Sequence, residues 1–376
     1  MKLLDTTLRE GIQRWGVYFP LETRVEIAKR LLSLGVEEIE LGVVGDELLP
    51  ALVEELRSIA PKANLSVWLR LKSQDLSLAK DLGPLGLNLG VPVSSVQLKR
   101  RLRLKEDELL SLVREIVASA RKITPRVTLG LEDASRAKPT FFLQICKEAL
   151  LAGAKRLRVS DTLGLLHPLE VSRLCARLKK AFPQAEIAFH GHDDFGLATA
   201  NAITALLSGA HWVDVSVLGL GERAGLAKLE EVVAFLRFRL GKKRYRVEEL
   251  PSLCRYVAWQ AGEVLPEFKP VVGRKLFFCE SGLHVEGLKK APELYEPFPP
   301  ESLGLERRLS LGAKSGRRAL SFLLKEWDLR YPPERLGELL REVRKRALLL
   351  GRPLERREIE RVLNEFTLLS VNRGQK

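Results

Sequence analysis

The sequence predicts a (β/α)8 TIM barrel followed by a smaller, mainly helical C-terminal region, and three observations carry that reading. Short apolar or β-branched runs alternate with amphipathic helical stretches from the first residues to about Arg239, the pattern of a parallel sheet with crossover helices. The alternation repeats eight times, which fits a closed barrel better than an open sheet. After Leu240 the rhythm is lost. A chain of 376 residues accommodates one large α/β barrel with an appendage, or two ordinary domains.

The first strand is read at Lys2–Thr7, ending near Arg9, and the others at Glu38–Leu41, Ser66–Trp68, Leu87–Leu89, Val127–Leu129, Arg156–Arg158, Glu186–Ala188 and Trp212–Val215. Between the first two, Leu21 to Leu34 repeats apolar residues at Val25, Ala28, Leu31 and Leu32, and Gly35 stands where a left-handed cap would end a helix. Beyond the barrel, the Pro-rich stretch Tyr295 to Pro300 separates helical segments from a tail with helices expected at Leu336–Leu349 and Glu355–Leu369. The expected division is a catalytic barrel at 1–255, a linker subdomain at 256–310 and a helical subdomain at 311–376.

Hydrophobic residues at 45% and charged residues at 29% describe a soluble globular chain and exclude a disordered or fibrous one. A net charge of +14 raises nucleic-acid binding, because clustered Lys and Arg release counterions from phosphate backbones. The densest basic stretches, Lys99 to Lys105 and Arg341 to Arg346, instead lie among helical leucines and acidic residues without aromatic interleaving. They read as solvated helix faces, and no nucleic-acid partner is expected. Cys146, Cys175, Cys254 and Cys279 are far apart and form no Cys-x-x-Cys pair, so neither a disulfide framework nor a zinc knuckle is indicated and a reducing cytoplasm is the expected location. No charged and apolar leader precedes the first strand and no apolar run approaches a membrane span, so no membrane association is expected.

In such a barrel the chemistry lies at the carboxyl ends of the strands. Polar residues are dense there: Arg9-Glu10 after the first strand, Glu132-Asp133 after the fifth, Asp161-Thr162 after the sixth, His190-Gly191-His192-Asp193-Asp194 after the seventh and Gly221-Glu222-Arg223 after the eighth. His190 and His192 are two apart, so on a strand both imidazoles project to one face and reach one ion. Two imidazoles and a carboxylate leave open positions on a divalent cation, which then polarises a carbonyl as a Lewis acid. Blander readings stand beside these: two solvated or core-satisfied histidines, a local Arg9–Glu10 ion pair, a solvated Glu132, a helix-start His284 and a turn aromatic at Tyr295. The glycines from Gly219 to Gly225 miss the spacing of the dinucleotide fingerprint and suit a barrel-closing loop.

Leu4-Asp5-Thr6-Thr7-Leu8-Arg9-Glu10-Gly11 resembles the opening signature of the homocitrate, isopropylmalate and citramalate synthases and their lyase relatives. Their second signature is similar to His190-Gly191-His192-Asp193-Asp194-Phe195-Gly196-Leu197-Ala198-Thr199-Ala200-Asn201. Further matches are Glu132-Asp133-Ala134-Ser135-Arg136-Ala137, Asp161-Thr162-Leu163-Gly164, Gly219-Leu220-Gly221-Glu222-Arg223-Ala224-Gly225, Ser281-Gly282-Leu283-His284-Val285-Glu286-Gly287 and Leu311-Gly312-Ala313-Lys314-Ser315-Gly316-Arg317. They extend the resemblance to about Leu320, most of the chain. Within the family the Glu-Asp-Ala-Ser-Arg-Ala run and the His-x-His-Asp-Asp form look most like the nitrogen-fixation type of homocitrate synthase.

The resemblance implies a Claisen condensation of acetyl-CoA with 2-oxoglutarate, followed by thioester hydrolysis to homocitrate and CoA. It implies Glu10, His190 and His192 as ligands of a divalent metal (Mg, Mn, Zn or Co), Arg9 beside that metal to steady a developing oxyanion, and Thr162 and Gln13 with Arg9 around the 2-oxo acid. It points to Glu132, His284 and Tyr295 as acid/base groups, and to a homodimer whose C-terminal region contacts the partner barrel. Basic residues around the site would suit polyanionic CoA.

Some positions depart from the family pattern. Ile12 stands where many relatives carry Glu, Leu220 and Leu226 where they often carry Ile or Asn, and Ala313 where a His is common before Lys314-Ser315-Gly316. Without Asn near residue 220, water is expected to complete the metal shell. Thr128 and Gly130 are not the Arg and Ser of lysine-pathway homocitrate synthases, which leaves open how a second substrate carboxylate would be held. The nearest alternatives are isopropylmalate, citramalate or Re-type citrate synthase. No extra regulatory domain of the kind typical of the first two is expected, which favours homocitrate or citrate formation. A hydroxyacyl-CoA lyase would usually lack the region carrying His284 and Lys314, and a basic interaction protein on a dead barrel would lack the metal ligands.

Overall fold

The computed structural model describes residues 1–280 and 282–373. Ser281, which opens one of the matched motifs, lies outside the described residues. The chain divides into two compact units, Met1–Leu265 and Pro266–Lys376.

The first unit is a closed barrel of eight parallel strands in sequence order: β1 (Lys2–Asp5), β2 (Glu38–Val43), β3 (Leu65–Arg70), β4 (Gly86–Pro92), β5 (Val127–Glu132), β6 (Arg156–Asp161), β7 (Glu186–Gly191) and β8 (Trp212–Val215). β1 closes the ring by pairing β8, Lys2 opposite Trp212 and Asp5 opposite Val215. Each strand alternates. One face buries Ile39, Leu41, Val67, Leu89, Leu129, Leu157, Ile187 and Val213 in the main hydrophobic core. The intervening positions fill the lumen, and there the residues turn polar going up the barrel. Leu4, Ala188 and Trp212 form an apolar plug at its base, beside the Arg156–Glu38 ion pair at 2.9 Å. Helices such as Leu21–Leu34 and Glu106–Ile123 follow the strands, and Gly35, at φ 98°, closes the first by donating its N–H to the carbonyls of Leu31 and Leu32.

β1 stops two residues earlier than the sequence suggests. The buried Asp5 carboxylate accepts the Thr7 N–H at 2.9 Å and the Thr7 hydroxyl at 3.1 Å, while the Thr6 carbonyl accepts the N–H groups of Arg9, Glu10 and Gly11. A short side chain thus competes with the sheet for the backbone and turns it. Arg9 and Glu10 consequently stand on a tight turn above the strand.

Burial pushes the Asp5 carboxyl up to about 7, against the pull of its Thr7 hydrogen bonds and with help from Asp214 and Glu40. Between its ordinary value and about 7 the native state therefore holds a proton that the unfolded chain has released, so stability falls as pH rises through that window. Asp5→Asn removes this titration. Thermal unfolding of the two proteins between pH 5 and pH 8 should show wild type losing up to about 3 kcal/mol relative to the variant; parallel curves would refute it.

The second unit is mainly helical. Helices Gly282–Lys290, Arg317–Glu326, Leu336–Leu350 and Arg356–Arg373 contribute to a core that includes Val285, Leu311, Leu320, Leu323, Leu339, Val343, Ile359 and Val362. Phe278–Cys279 and Arg308–Leu309 form a two-residue parallel ladder. The matched Lys314-Ser315-Gly316 run is a structural turn here: the buried Ser315 hydroxyl accepts the Gly312 N–H at 2.9 Å and donates to the Glu280 carbonyl at 3.0 Å. No helix among the described residues is long and apolar enough to cross a membrane.

Candidate active site

At the carboxyl ends of the strands a cavity of about 220 Å³ is lined by Arg9, Glu10, Gln13, Glu132, Thr162, His190 and His192, the barrel residues to which the resemblance gives site roles. His190 is the last but one residue of β7 and His192 directly follows the strand, so the two-residue spacing brings their Nε2 atoms to 3.4 Å. Glu10 Oε1 is 3.9 Å from His192 Nε2, and one ligand atom from each of the three buried residues lies within 4.8 Å of the others.

The donor set suits a divalent cation. His190 Nδ1 is 2.7 Å from Asp214 Oδ2, an arrangement that places the proton on Nδ1 and leaves Nε2 with a free lone pair. Burial, with Arg158 and His192 adding to it, holds the His190 imidazole well below its usual range, and burial lowers His192 too; both are therefore neutral near pH 7, as ligands must be. Burial raises the Glu10 carboxyl, but the charges of Arg9 and Arg158 pull it below its ordinary value, so it stays ionised. His192 Nδ1 is buried without a hydrogen-bond partner among the described residues.

Beneath this cluster lies a charged layer. Glu40 is fully buried and accepts from Arg9 Nε at 2.6 Å, Thr6 Oγ1 at 2.7 Å, Asn88 Nδ2 at 2.8 Å and Arg158 NH1 at 2.8 Å. Its desolvation is offset by those two arginines, which hold the carboxyl far below the ordinary range. Arg158 also pairs with Asp214, and Arg9 with Glu10. Glu40, Arg158 and Asp214 carry this layer, yet nothing in the sequence reading singled them out. Their signal was the strand period: charges at Glu38/Glu40 and Arg156/Arg158 recur every second residue among apolar ones.

Glu132 ends β5, and its Oε2 accepts from Arg101 NH1 at 2.9 Å. Burial raises its carboxyl above the ordinary value despite that partner. Its other oxygen lies over Gly90 beside the Trp68 ring: a Cβ at residue 90 would sit 2.5 Å from Trp68 Cζ2 and 2.7 Å from Glu132 Oε1. Glycine is required there by proximity, so Gly90→Ala should displace Glu132 and lower kcat/KM about 10²-fold. Gly130→Ala, whose nearest new contact is the Leu89 carbonyl oxygen at 3.3 Å, should cost less in the same assay. Equal effects would remove the special role of Gly90.

Of the other strand-end residues, Glu222 also lines the cavity, whereas four aspartates do not. Asp161 accepts the Leu165 and Leu166 N–H groups, Asp193 accepts the Ala198 N–H and pairs with Lys228, Asp194 pairs with Arg223, and Asp133 pairs with Arg136 and Ser94. The carboxylates of Asp161 and Asp193 take turn N–H groups and those of Asp133 and Asp194 take side-chain partners, which corrects the expectation that this whole set converges. The Thr162 hydroxyl accepts the Asp133 N–H at 2.8 Å. In the second unit, His284 and Tyr295 are brought together, ring centroids 4.4 Å apart.

Residues 1–257 match the HMGL-like family, and residues 271–349 match the family described as homocitrate synthase post-HMGL domain-like. The chain belongs to the HMGL-like family. Among the relatives of this HMGL-like chain, a 2-isopropylmalate synthase 2 of Caldanaerobacter subterraneus subsp. tengcongensis is 37% identical, over 95% of this chain and 93% of that protein. A homocitrate synthase of Frankia alni is 39% identical, over 87% of this chain and 93% of that protein. An HMG-CoA lyase from Acenitobacter baumannii, solved with coenzyme A and 3-methylmalate, superimposes with a TM-score of 0.61 at 18% identity, over 70% of this chain and 92% of that one, a likeness of fold. The HMGL-like chain is thus a homocitrate-synthase-like condensing acyltransferase of a metal-dependent family, with a buried Glu/His/His cluster in its barrel.

Proposed function

We propose that this acyltransferase is a homocitrate synthase, condensing acetyl-CoA with 2-oxoglutarate and hydrolysing the thioester to release CoA. The observation that carries the reading is the buried Glu10, His190 and His192 cluster opening into the cavity that also holds Glu132. A divalent cation held by those three residues supplies Lewis acidity toward the keto group of the acceptor.

The chain's own groups do the rest. Glu132, its carboxyl raised by burial, removes a methyl proton from acetyl-CoA. The carbanion attacks the keto carbon, and Arg9, fixed by Glu40 and Glu10, brings positive charge to the oxygen that becomes anionic. The Thr162 oxygen already accepts one hydrogen bond, so its own proton is available to the acceptor's carboxylate, with Gln13 lining the same cavity. His284 and Tyr295 are assigned as further proton donors, a role supported by their mutual contact and by the second family match. A homodimer belongs to the same reading; a monomer by light scattering would remove it.

The second reading, a branched-chain 2-oxo acid as acceptor, is favoured by the relative named 2-isopropylmalate synthase 2. Free CoA released from acetyl-CoA is measured with metal and, in parallel, 2-oxoglutarate, oxaloacetate, pyruvate and 2-oxoisovalerate, with His192→Ala as blank. Preference for 2-oxoglutarate is expected. Preference for another acid replaces the acceptor, and no release from any acid overturns condensation.

A further inference from the structure

The basic stretch Lys99 to Lys105, expected to be a solvated helix face, is not uniform. Leu98–Leu102 winds as a π-turn, its wide ring closed by the Arg103 N–H on the Leu98 carbonyl, and Arg101 from this turn lines the cavity that holds Glu10, His190 and His192. Turns of this kind depart from α geometry at a cost and recur at functional sites.

Three arginines line the cavity, and they are bound very differently. Arg9 pairs with Glu10 and Glu40, and Arg158 with Glu40 and Asp214; both side chains are buried. Among the described residues Arg101 has a single carboxylate partner, Glu132, and its side chain is 55% exposed. Its hydrogen bonds among those residues, to Glu132 at 2.9 Å and to Gln97 at 3.1 Å, both use NH1, which leaves Nε and NH2 available. Glu222, the remaining carboxylate on the lining, sits beside Arg223 at 3.6 Å.

We propose that Arg101 anchors a second carboxylate on the acceptor, so that the acceptor is a 2-oxo dicarboxylate and not a branched-chain 2-oxo acid; this rests on the condensing reading above. A 2-oxo acid uses its keto and first carboxylate oxygens at the cation and Thr162, which leaves its distal end in the same small cavity. A distal carboxylate reaching that side of the cavity meets a cation with free donors, and the planar fork of Arg101 offers two nitrogens for a bidentate pair. A branched apolar group would instead cover the Arg101–Glu132 pair without replacing the water it displaces. The same exchange draws Arg101 toward the substrate and loosens its hold on Glu132, the group assigned to take the methyl proton. Thr128 and Gly130, which lack the charged and hydroxyl groups expected from the lysine-pathway pattern, then need no cationic role.

The test is calorimetric binding to the Mn²⁺-loaded protein, comparing 2-oxoglutarate with 2-oxobutyrate and 2-oxoisovalerate, for wild type, Arg101→Gln and Arg101→Lys. Wild type is expected to bind 2-oxoglutarate about 30-fold more tightly than either monocarboxylate, the size of a charge-assisted bidentate contact. Arg101→Gln should bring that ratio to about 1 while 2-oxobutyrate affinity stays within about twofold, with Arg101→Lys between, since Lys keeps the charge but not the fork. A wild type without the preference, or a preference that survives Arg101→Gln, overturns the proposal. If Arg101→Gln does not fold, the wild-type ranking and Arg101→Lys decide. CoA release with the same acids is read separately. The expected binding ranking without CoA release refutes condensation and keeps the anchor; condensation best with 2-oxoisovalerate keeps the reaction and overturns the anchor.

Discussion

His192→Ala is expected to lower CoA release by at least about 10³-fold, because the Lewis acid contributes several kcal/mol of charge stabilisation and each 1.4 kcal/mol is tenfold in rate. The variant should also bind less than stoichiometric metal by atomic emission, since only Glu10 and His190 remain of a three-residue set. Asp214→Asn separates holding the cation from aiming the ligand. Asp214 touches His190 Nδ1 and is not one of the three cluster residues, so its loss should leave stoichiometry near that of wild type at high metal and weaken affinity 10- to 100-fold, on the order of other such supporting partners. A His192→Ala protein that keeps both metal and activity would show that the cluster is not the centre of the reaction.

Arg158→Met should cost about 3–5 kcal/mol, the range for a buried ion pair that loses one partner. Arg158 stands between Glu40 and Asp214, and all three are almost wholly buried. Glu40 retains Arg9, Thr6 and Asn88, so the exposed weakness is Asp214. Burial already pushes the Asp214 carboxyl up to about 6 against the pull of Arg158, and without the arginine it rises further. The variant's loss of stability, measured by urea unfolding, should therefore be smaller at pH 5, where Asp214 is protonated, than at pH 8. Arg158→Met combined with Asp214→Leu should recover part of the stability and none of the activity, because His190 stays without its orienting carboxylate. Equal losses at both pH values would show that Asp214 does not bear the cost.

The eight strands were legible because each gives one face to the apolar core and the other to a more polar lumen, and that alternation leaves a two-residue period in the sequence. The histidine pair was legible for the same reason, since its spacing is the strand's own period. What escaped was pairing at long range. Arg158 and Glu40 are 118 residues apart and meet only because β2 and β6 face each other across the lumen, so each looked like a stray charge in an apolar run. Arg101 was hidden by its neighbours: in a row of Lys and Arg nothing local distinguishes the residue that a π-turn aims inward. The aspartates misled in the opposite direction: Asp161 and Asp193 satisfy turn N–H groups, and Asp133 and Asp194 are held by the neighbouring arginines Arg136 and Arg223.

The seam between β1 and β8 bears on how the protein matures in the cell. Glu10 leaves the ribosome well before His190 and His192, which follow only after five further strands have been made, and β1 has no second neighbour until β8 arrives. A nascent chain therefore cannot assemble the three-residue cage, and metal capture becomes a late event that reports ring closure. Cells starved of the cation would accumulate closed apo-barrels in place of stalled fragments, and resupply would activate them without new synthesis.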